Sequence, residues 1–452
     1  MKVKPATYTA IKTNCQRKLE NCMRKLLTFI LLFVCGRAFC QHRLHGRVTD
    51  LNGMALPGTS VFISESKHGT ATDSLGNFVL TSPGGGNLKL VVSHVGYEAQ
   101  VKAISADAAD STLLFMLKPV SKQLKDVIVS SRANDDWKHW GAAFLAAFIG
   151  NSAFAKNCTI ENYREIGFKY DNDEQVLNAY TSVPLKIKNE SLGYLITINL
   201  VDFVLYTPDN DVDYQAYYLF EEMKGDAAQQ KLWEQNRRKA YALSMMHFSR
   251  ALYANKLKEE GYEVRRFSMK DIREKERVTK IFADERIKNA DYLKDKENTE
   301  EQVTMLVEKH YGADSLAYYR KMLAKQVEDI KMSAPLKQPD ISAKTEGNLS
   351  LNFKDALQVV YKKIREPEEY YTYRTQSLKN IQIVSVGGNG MNTSQALLPP
   401  KLYPFTEMWL TNGTPVDIKE NGRINNTNLY IHGFWGWWEK IATKLPYEYY
   451  PD

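Results

Sequence analysis

Two stretches of the sequence, Leu56-Pro57-Gly58-Thr59-Ser60-Val61-Phe62-Ile63 and Thr72-Asp73-Ser74-Leu75-Gly76-Asn77-Phe78, join β-forming residues to glycine turns. They belong to a series of seven short β-rich runs, at 44–49, 60–64, 69–72, 77–80, 88–95, 100–104 and 112–117. Glycine in the turns between the runs supplies the positive φ that tight turns require. Seven strands in so short a segment predict a small antiparallel β-sandwich with Greek-key connections, of the transthyretin or immunoglobulin type.

Four motifs mark these runs: Gly46-x-Val48-x-Asp50, Leu56-Pro57-Gly58-x-x-Val61, Thr72-Asp73-x-x-Gly76-x-Phe78 and Val95-Gly96-Tyr97. With them, residues 41–118 resemble the carboxypeptidase-regulatory-like domain, a transthyretin-like β-sandwich. The resemblance implies a module without catalytic activity, found at the N-terminus of many exported envelope proteins of two-membrane bacteria, including TonB-dependent receptors. Leu124-Lys125-Asp126-Val127-Ile128-Val129 resembles the segment that often follows the module in those receptors, but no receptor plug is recognisable after it.

Residues 1–40 have the pattern of a signal peptide: Arg24-Lys25, an apolar run at 26–34, and Ala38-Phe39-Cys40 before Gln41. The apolar run is too short to cross a bilayer as a helix. A start at Met23 would give the signal an ordinary length. Cys40 would carry a lipid in a lipoprotein-type signal, but the bulky Phe39 before it disfavours that alternative. The pattern predicts an exported protein, periplasmic or associated with the outer membrane, without a transmembrane span in the mature chain.

The charge of the chain depends on this leader. The whole sequence has 60 basic and 53 acidic residues, a net charge of +7, but residues 1–40 hold eight of the bases and one acid. The remaining 52 bases balance 52 acids, so the composition indicates no nucleic-acid partner. Of the five cysteines only Cys158 lies clearly beyond the leader, which excludes an internal disulfide.

No catalytic or cofactor-binding pattern stands out. A zinc carboxypeptidase uses two histidines and a carboxylate around one metal, with a His-x-x-Glu pair in the family. No histidine of this chain has a glutamate three positions later: His42, His45, His68, His94, His139, His247, His310 and His432. Gly387-Gly388-Asn389-Gly390 lacks the lysine and serine of a phosphate loop. We expect His94 to be a hydrogen-bonded histidine at the edge of the sandwich core, and we predict no cofactor.

Beyond a linker at 119–135, residues 136–452 predict a larger mixed α+β region with a helical part at about 228–335. An aromatic-rich helical stretch starts at Trp137 and ends near Cys158. Longer helices are predicted at 229–260, 300–310 and 315–331, the second opened by Thr299 and Gln302 as a capping box. Strands are predicted at 177–180, 185–187, 193–201, 203–206, 348–353, 356–362 and 381–386. The fold class is therefore α+β.

Three sets of residues are candidate binding or metal sites. Ser244, His247 and Arg250 share one face of the predicted helix 229–260 and could bind an anion, with a core helix as the alternative. Trp435, Trp437 and Trp438 could stack on a sugar or peptide, although clustered aromatics near a chain end also anchor a terminus in the core. Asp209, Asp211 and Asp213 alternate as in calcium loops, but Tyr214 stands where an EF-hand has glycine, which favours a plain hairpin turn.

Two of these sets lie in longer patterns, Arg238-x-x-Tyr241-x-x-Ser244-x-x-His247-Phe248-x-Arg250 and the C-terminal tryptophan block, and a third pattern is Asn189-x-x-Leu192-Gly193-Tyr194. They resemble exported proteins that share the N-terminal sandwich, and the resemblance implies no mechanism. The leading hypothesis is a non-catalytic envelope protein whose sandwich docks a protein or a glycan. The alternative is an envelope hydrolase acting on peptide or glycan through carboxylates such as Asp202 or Glu221. A third, weaker hypothesis is a relative of a transport receptor.

Overall fold

The computed structural model describes residues 42–82, 87–105, 112–120, 133–208, 210–268, 270–294, 296, 298–324, 332–345, 348–380, 402–424 and 428–451. The leader at 1–40, the segment at 124–129, the strand at 381–386 and the glycine turn at 387–390 lie outside these residues. The chain divides into two compact units. The first comprises residues up to Ile63, His68–His94 and Ala99–Lys118; the second comprises Ser64–Lys67, Val95–Glu98 and Pro119–Asp452.

Seven strands are described in the first unit, each within two residues of its predicted bounds. They are β1 His42–Asp50, β2 Ser60–Ile63, β3 Gly69–Ala71, β4 Asn77–Ser82, β5 Asn87–Ser93, β6 Gln100–Ser105 and β7 Leu113–Leu117. They form two sheets, of order β4-β1-β7 and β3-β2-β5-β6. The predicted β-sandwich, and with it the α+β fold class, is confirmed.

One pairing departs from the antiparallel expectation. Strands β1 and β7 run parallel, with Gly46 opposite Leu113 and Asp50 opposite Leu117. A parallel pair needs a long crossover connection, because a tight turn cannot return the chain in the same direction. Here the chain passes through the other sheet, as β5 and β6, before β7 returns to the edge of the first.

Two motif glycines are required by close packing in the first sheet. A Cβ atom on Gly46 would lie 2.4 Å from the ring of Phe78 and 2.4 Å from the carbonyl oxygen of Leu113. Gly76 has a φ of +78°, and a Cβ there would lie 2.4 Å from the carbonyl oxygen of Val48. Glycine at these two positions therefore has a steric cause, since any side chain at either position would push strands apart.

The second unit contains thirteen described strands in three sheets. They are β8 Cys158–Ile160, β9 Ile166–Asp171, β10 Val176–Thr181, β11 Leu185–Asn189, β12 Tyr194–Tyr206, β13 Asp211–Glu222, β14 Tyr262–Phe267, β15 Ser342–Thr345, β16 Asn348–Leu351, β17 Ala356–Tyr361, β18 Phe405–Leu410, β19 Val416–Ile418 and β20 Leu429–Gly433. The sheets have the orders β8-β11-β12-β10-β9, β14-β17-β18-β20 and β15-β16-β19. Strand β13 also pairs with β12, so the apolar run predicted at 193–206 is one long central strand.

The described helices of the second unit are α1 Ala133–Phe148, α2 Ala227–Ala242, α3 Met245–Tyr253, α4 Lys270–Lys288, α5 Ala290–Leu293, α6 Thr299–Tyr311, α7 Ala313–Ala324, α8 Gln338–Ile341, α9 Glu368–Asn380 and α10 Phe434–Trp438. Helices α4 to α7 surround a core of their own, formed by Val278, Phe282, Leu293, Val303, Val307, Leu316, Tyr319 and Met322. None of the helices in the described ranges is both long and apolar enough to span a membrane.

The single helix predicted at 229–260 is wrong. The chain forms two helices there, α2 and α3, separated at Leu243 and Ser244. Ser244 has extended φ/ψ angles of −86° and 156°, and its hydroxyl accepts a hydrogen bond from the main-chain nitrogen of His247 at 3.2 Å. A serine side chain competes in this way with the helix backbone and begins a new helix.

One further helix prediction is corrected. The capping box of Thr299 and Gln302 does not form, because α6 already includes Thr299 and is preceded by Asn298 in the left-handed region, with no side-chain cap. A capping box does form at α2, between Asp226 and Gln229. Helix α4 lies within the helical part predicted at about 228–335, but its bounds were not predicted, because its sequence is mostly charged.

Candidate functional site

His94 lies where the sequence predicts, at the edge of the sandwich core. It follows β5 and is half-buried. Its Nδ1 atom is 3.1 Å from the hydroxyl of Thr59, which also donates to the carbonyl oxygen of Leu56 at 2.8 Å. This histidine is hydrogen-bonded within the sandwich, as the expectation required.

His247 is buried in the second unit, and both of its ring nitrogens have protein partners. Nδ1 is 3.0 Å from the hydroxyl of Tyr262 and 3.2 Å from the carbonyl oxygen of Ala242. Nε2 is 3.2 Å from a carboxylate oxygen of Glu260. Burial raises the pKa of the Tyr262 hydroxyl well above its usual range, so this hydroxyl stays neutral. The imidazole therefore ties α3 to its surroundings, while Ser244, as the cap of α3, uses its hydroxyl on the backbone.

Arg250 is also buried, and its guanidinium serves three main-chain carbonyl groups. It donates to Asn421 and Tyr447 at 2.9 Å each and to Tyr449 at 2.8 Å. The ring of Tyr450 lies 3.8 Å from the guanidinium carbon, a cation–π distance. The guanidinium N–H groups that could bind an anion thus donate to main-chain carbonyl groups of this chain instead.

The three tryptophans lie in the core of the second unit, each between 3 and 4% exposed. Trp435 donates its indole N–H to the carbonyl oxygen of Leu243 at 3.0 Å, and Trp438 donates to Ala240 at 3.4 Å. The indole N–H of Trp437 has no acceptor among the described residues. Stacking faces are covered by other rings, with Phe434 5.6 Å from Trp438. A sugar ring could reach these indoles only if core side chains moved.

Of the three aspartates at the β12–β13 hairpin, Asp211 is engaged in ordinary contacts, and Asp209 lies outside the described residues. Asp211 accepts hydrogen bonds from the hydroxyl of Tyr430 at 2.9 Å and from the main-chain nitrogen of Val212 at 3.1 Å. Asp213 is exposed on the same strand. Within the part of the chain that the structure describes, no group of three His, Cys, Asp or Glu side chains is placed to hold a metal ion.

The two carboxylates named for a hydrolase are separated by the register of this hairpin. Asp202 of β12 lies opposite Gln215 of β13, and Glu221 stands six residues further along β13. Six residues of extended strand span roughly 20 Å. Glycosidase carboxyl groups stand about 5 to 10 Å apart, so Asp202 and Glu221 cannot act as one pair.

Cys158 is a poor candidate for a catalytic nucleophile, because burial raises the pKa of its thiol to about 12.

The C-terminal segment places charged side chains inside the second unit. Glu439 accepts a 2.6 Å hydrogen bond from the main-chain nitrogen of Met245, the first residue of α3. Burial raises the pKa of the Glu439 carboxyl and lowers that of the Lys440 ammonium to about 8. Burial also opposes the charge of Lys444, but the Glu65 carboxylate 3.6 Å away and its neighbours raise the Lys444 pKa overall. Glu439 and Lys444 oppose each other's charge, and Glu439 caps α3.

Two cavities of the second unit are too small for a substrate. One is lined by Leu243, Tyr262, Tyr361, Thr406 and Trp435 among others, and the second by Phe154, Lys239, Glu369, Trp437 and Trp438 among others. Each encloses about 10 Å³. That volume holds at most one water molecule.

The sandwich, by contrast, exposes apolar side chains on one side. We call this side of the β4-β1-β7 sheet the outer face; its residues are Arg43, His45, Arg47, Thr49, Asn77, Val79, Thr81, Thr112, Leu114 and Met116. Val79 is 52% exposed, Leu114 70% and Met116 59%. Leu75, Leu51 and Met54, in turns next to β4 and β1, are also more than half exposed. Apolar side chains grouped in this way on a folded domain commonly mark a contact surface.

Comparison of the sandwich with known proteins agrees with the resemblance that its sequence motifs indicate. Residues 44–129 match the CarboxypepD_reg-like domain family. This segment is a CarboxypepD_reg-like domain. Among curated proteins, the chain is similar to TonB-dependent receptor P39 of Formosa agariphila, with 33% identity over 116 residues, or 24% of this chain and 11% of the receptor. The chain thus spans about a tenth of the length of the curated relative that it matches.

The outer face of the CarboxypepD_reg-like domain is not visible in the sequence. Strand β7 reads Leu113-Leu114-Phe115-Met116-Leu117, apolar at all five positions, although only the first, third and fifth are buried. The alternation that distinguishes a buried from a solvated face is therefore missing. The weak signal that remains is composition, since an edge strand with large apolar residues on both sides is unusual.

Proposed function

We propose that this protein is a non-catalytic, exported protein of the cell envelope whose CarboxypepD_reg-like domain docks another protein or a glycan, while the larger second unit confers specificity. The observation that carries the proposal is the outer face, where Leu114 and Met116 are exposed on a sheet whose inner side is filled by Leu44, Val48 and Phe115. A folded domain retains such exposed apolar area most readily when a partner covers it.

Two further observations support an envelope location and a non-catalytic role. The basic and apolar pattern of residues 1–40 is typical of an export signal, and the curated relative is named a TonB-dependent receptor. The candidate polar residues of the second unit, above all His247 and Arg250, use their hydrogen-bonding groups on the protein itself.

Chemical cross-linking of the full chain in bacterial envelopes, followed by mass spectrometry, tests the proposal. We expect intermolecular cross-links that include the exposed sandwich lysines Lys89, Lys102 or Lys118, or retention of the purified chain on isolated envelope glycan. Cross-links confined to the chain, together with no retention on glycan, would count against docking. Release of peptides or reducing sugars from peptidoglycan by the purified chain would contradict the non-catalytic role, and a mature N-terminus upstream of Met23 would contradict export.

A further inference from the structure

We propose that one face of the β14-β17-β18-β20 sheet in the second unit binds an uncharged oligosaccharide. This inference rests on the docking function proposed above, because it names what the second unit would recognise. We call this side of the sheet the aromatic face; its residues are Gln358, Phe405, Glu407, Trp409, Tyr430 and His432.

The register of the strands places these six side chains on the same side. Glu407 of β18 lies opposite Gln358 of β17 and His432 of β20, and Trp409 lies opposite Tyr430. Directly opposite residues of antiparallel strands share a face, and so do alternate residues of one strand. All six are half-buried or exposed. The other side of the sheet supplies residues of the main core, among them Leu357, Val359 and Met408.

Two rings of the aromatic face are held in fixed positions. Trp409 and Tyr430 stack, with their centroids 4.3 Å apart and their planes 25° apart. Trp409 also packs against Phe267 and Ala356, and the Tyr430 hydroxyl donates a 2.9 Å hydrogen bond to Asp211. Tyr430 is nevertheless 37% exposed. A ring that is already fixed loses little conformational freedom when the apolar C–H side of a sugar packs on it.

Polar side chains beside these rings can bind sugar hydroxyl groups. The Glu407 side chain is only 20% exposed, and its nearest charged partner is the Nδ1 atom of His432, 3.5 Å away. Opposite Glu407, the side-chain amide of Gln358 has no hydrogen-bond partner among the described residues. A carboxylate accepts hydrogen bonds and an amide both donates and accepts them, which matches the two roles of a hydroxyl group.

The charges on this side of the sheet balance. Glu263 of β14 is paired with Arg265 at 2.7 Å and with Lys362 at 2.5 Å, and Glu407 is the second acid. Two bases thus face two acids, with His432 beside Glu407. A surface without net charge gives an anionic or a cationic ligand no general attraction. The balance favours an uncharged ligand.

The order of residues along β18 favours a sugar chain over an apolar ligand. Phe405 and Trp409 are separated by Glu407 on the same face, so a carboxylate interrupts the apolar surface. An acyl chain or an apolar peptide would have to cover that carboxylate, which is costly. Four residues of strand span about 13 Å, which is longer than a single sugar ring. The face therefore suits an oligosaccharide.

An array of immobilised uncharged and anionic oligosaccharides, probed with the full chain, tests the inference, and titration calorimetry measures the affinity for the strongest ligand. We expect binding to uncharged oligosaccharides, with an affinity that changes by less than about twofold on addition of salt. Tyr430→Ala and Gln358→Ala should each weaken binding by about tenfold. Tyr430→Phe retains the ring and should bind like the wild type. Tyr318→Ala, at a tyrosine 46% exposed on α7, is the matched control and should leave binding unchanged.

Three outcomes would overturn the inference: no bound oligosaccharide on the array, binding confined to anionic oligosaccharides, or binding that both Tyr430→Ala and Gln358→Ala retain. Tryptophan fluorescence during urea unfolding shows whether each variant is folded. Gln358→Ala removes no side-chain hydrogen bond within the described residues and provides the check if Tyr430→Ala is unfolded. Intermolecular cross-links from sandwich lysines, observed although no oligosaccharide binds, would leave the docking function standing and reject this site.

Discussion

The guanidinium of Arg250 donates a hydrogen bond to the carbonyl oxygen of Tyr449 at 2.8 Å, across 199 residues of sequence. Two more carbonyl groups, of Asn421 and Tyr447, accept from the same side chain. One buried side chain thus joins α3 to the last residues of the chain. Because a buried guanidinium needs all of its donors paired, this arrangement makes Arg250 a structural residue.

We expect Arg250→Lys to lower the free energy of unfolding of the second unit by about 2 to 4 kcal/mol. A lysine has no planar fork and cannot reach three converging carbonyl groups at once. Tryptophan fluorescence during urea unfolding measures the change, because all seven tryptophans of the chain belong to the second unit. Arg238→Lys, at an exposed pair with Glu234, is the control and should cost less than about 0.5 kcal/mol. Equal losses in both variants would contradict the structural role of Arg250.

Gly76→Ala should destabilise the sandwich by about 2 kcal/mol or more, since a Cβ there meets both a positive φ and the carbonyl oxygen of Val48. The matched control is Gly53→Ala. Gly53 has a similar φ of +81° but nothing within 4 Å of its Cβ position, so only the conformational cost of about 1 kcal/mol applies. Hydrogen exchange of strands β1 and β4 gives the readout. Indistinguishable protection in the two variants would show that the close approach does not constrain the sheet.

Lys440→Met should stabilise the second unit at pH 7. Burial lowers the pKa of Lys440 from 10.5 to about 8 in the folded chain. Between these values the unfolded state binds more protons, so the cost of the buried ammonium is complete below about pH 8 and disappears as the pH approaches 10.5. We expect a gain of about 1 to 2 kcal/mol at pH 7, less than the full shift implies, because solvent screens a partly exposed side chain.

Urea unfolding of the wild type and Lys440→Met between pH 7 and pH 10.5 measures this difference, which should shrink as the pH rises. Lys231→Met removes a positive charge from the exposed side of α2 and controls for the change in net charge. A difference between Lys440→Met and the wild type that stays constant over this range would mean that the Lys440 ammonium is not the cause.

Calcium titration calorimetry addresses the aspartates of the β12–β13 hairpin. We expect no heat of binding at millimolar calcium, because the Asp211 carboxylate already accepts hydrogen bonds from Tyr430 and Val212. Asp213→Asn should behave like the wild type. Heat that is present in the wild type and lost in Asp213→Asn would establish a cation site instead.

The strands of the sandwich were predictable because their signals are local. Glycine at positions such as Gly58 and Gly76 marks the turns, and the runs between them favour extended backbone. The break between α2 and α3 was harder to predict from the sequence. The sequence around Ser244 is compatible both with a continuous helix and with a serine that caps a new helix. Only the backbone conformation in the folded chain determines which of the two forms.

The candidate sites depended on contacts between distant residues. Helical spacing grouped His247 with Arg250, but it carried no information about Glu260, Tyr262 or Tyr449, which take up their polar groups. The separation of Asp202 and Glu221 was fixed by hairpin register, which a sequence pattern alone does not determine.

By itself, the sequence determined the sandwich, its family and the α+β class, since turn chemistry and strand propensity act over a few neighbouring residues. Tertiary structure alone decided that Trp435, Trp437 and Trp438 are core residues and that Leu114 and Met116 are exposed. The physical reason is that burial depends on what packs against a side chain, and those neighbours come from parts of the chain that local patterns do not connect.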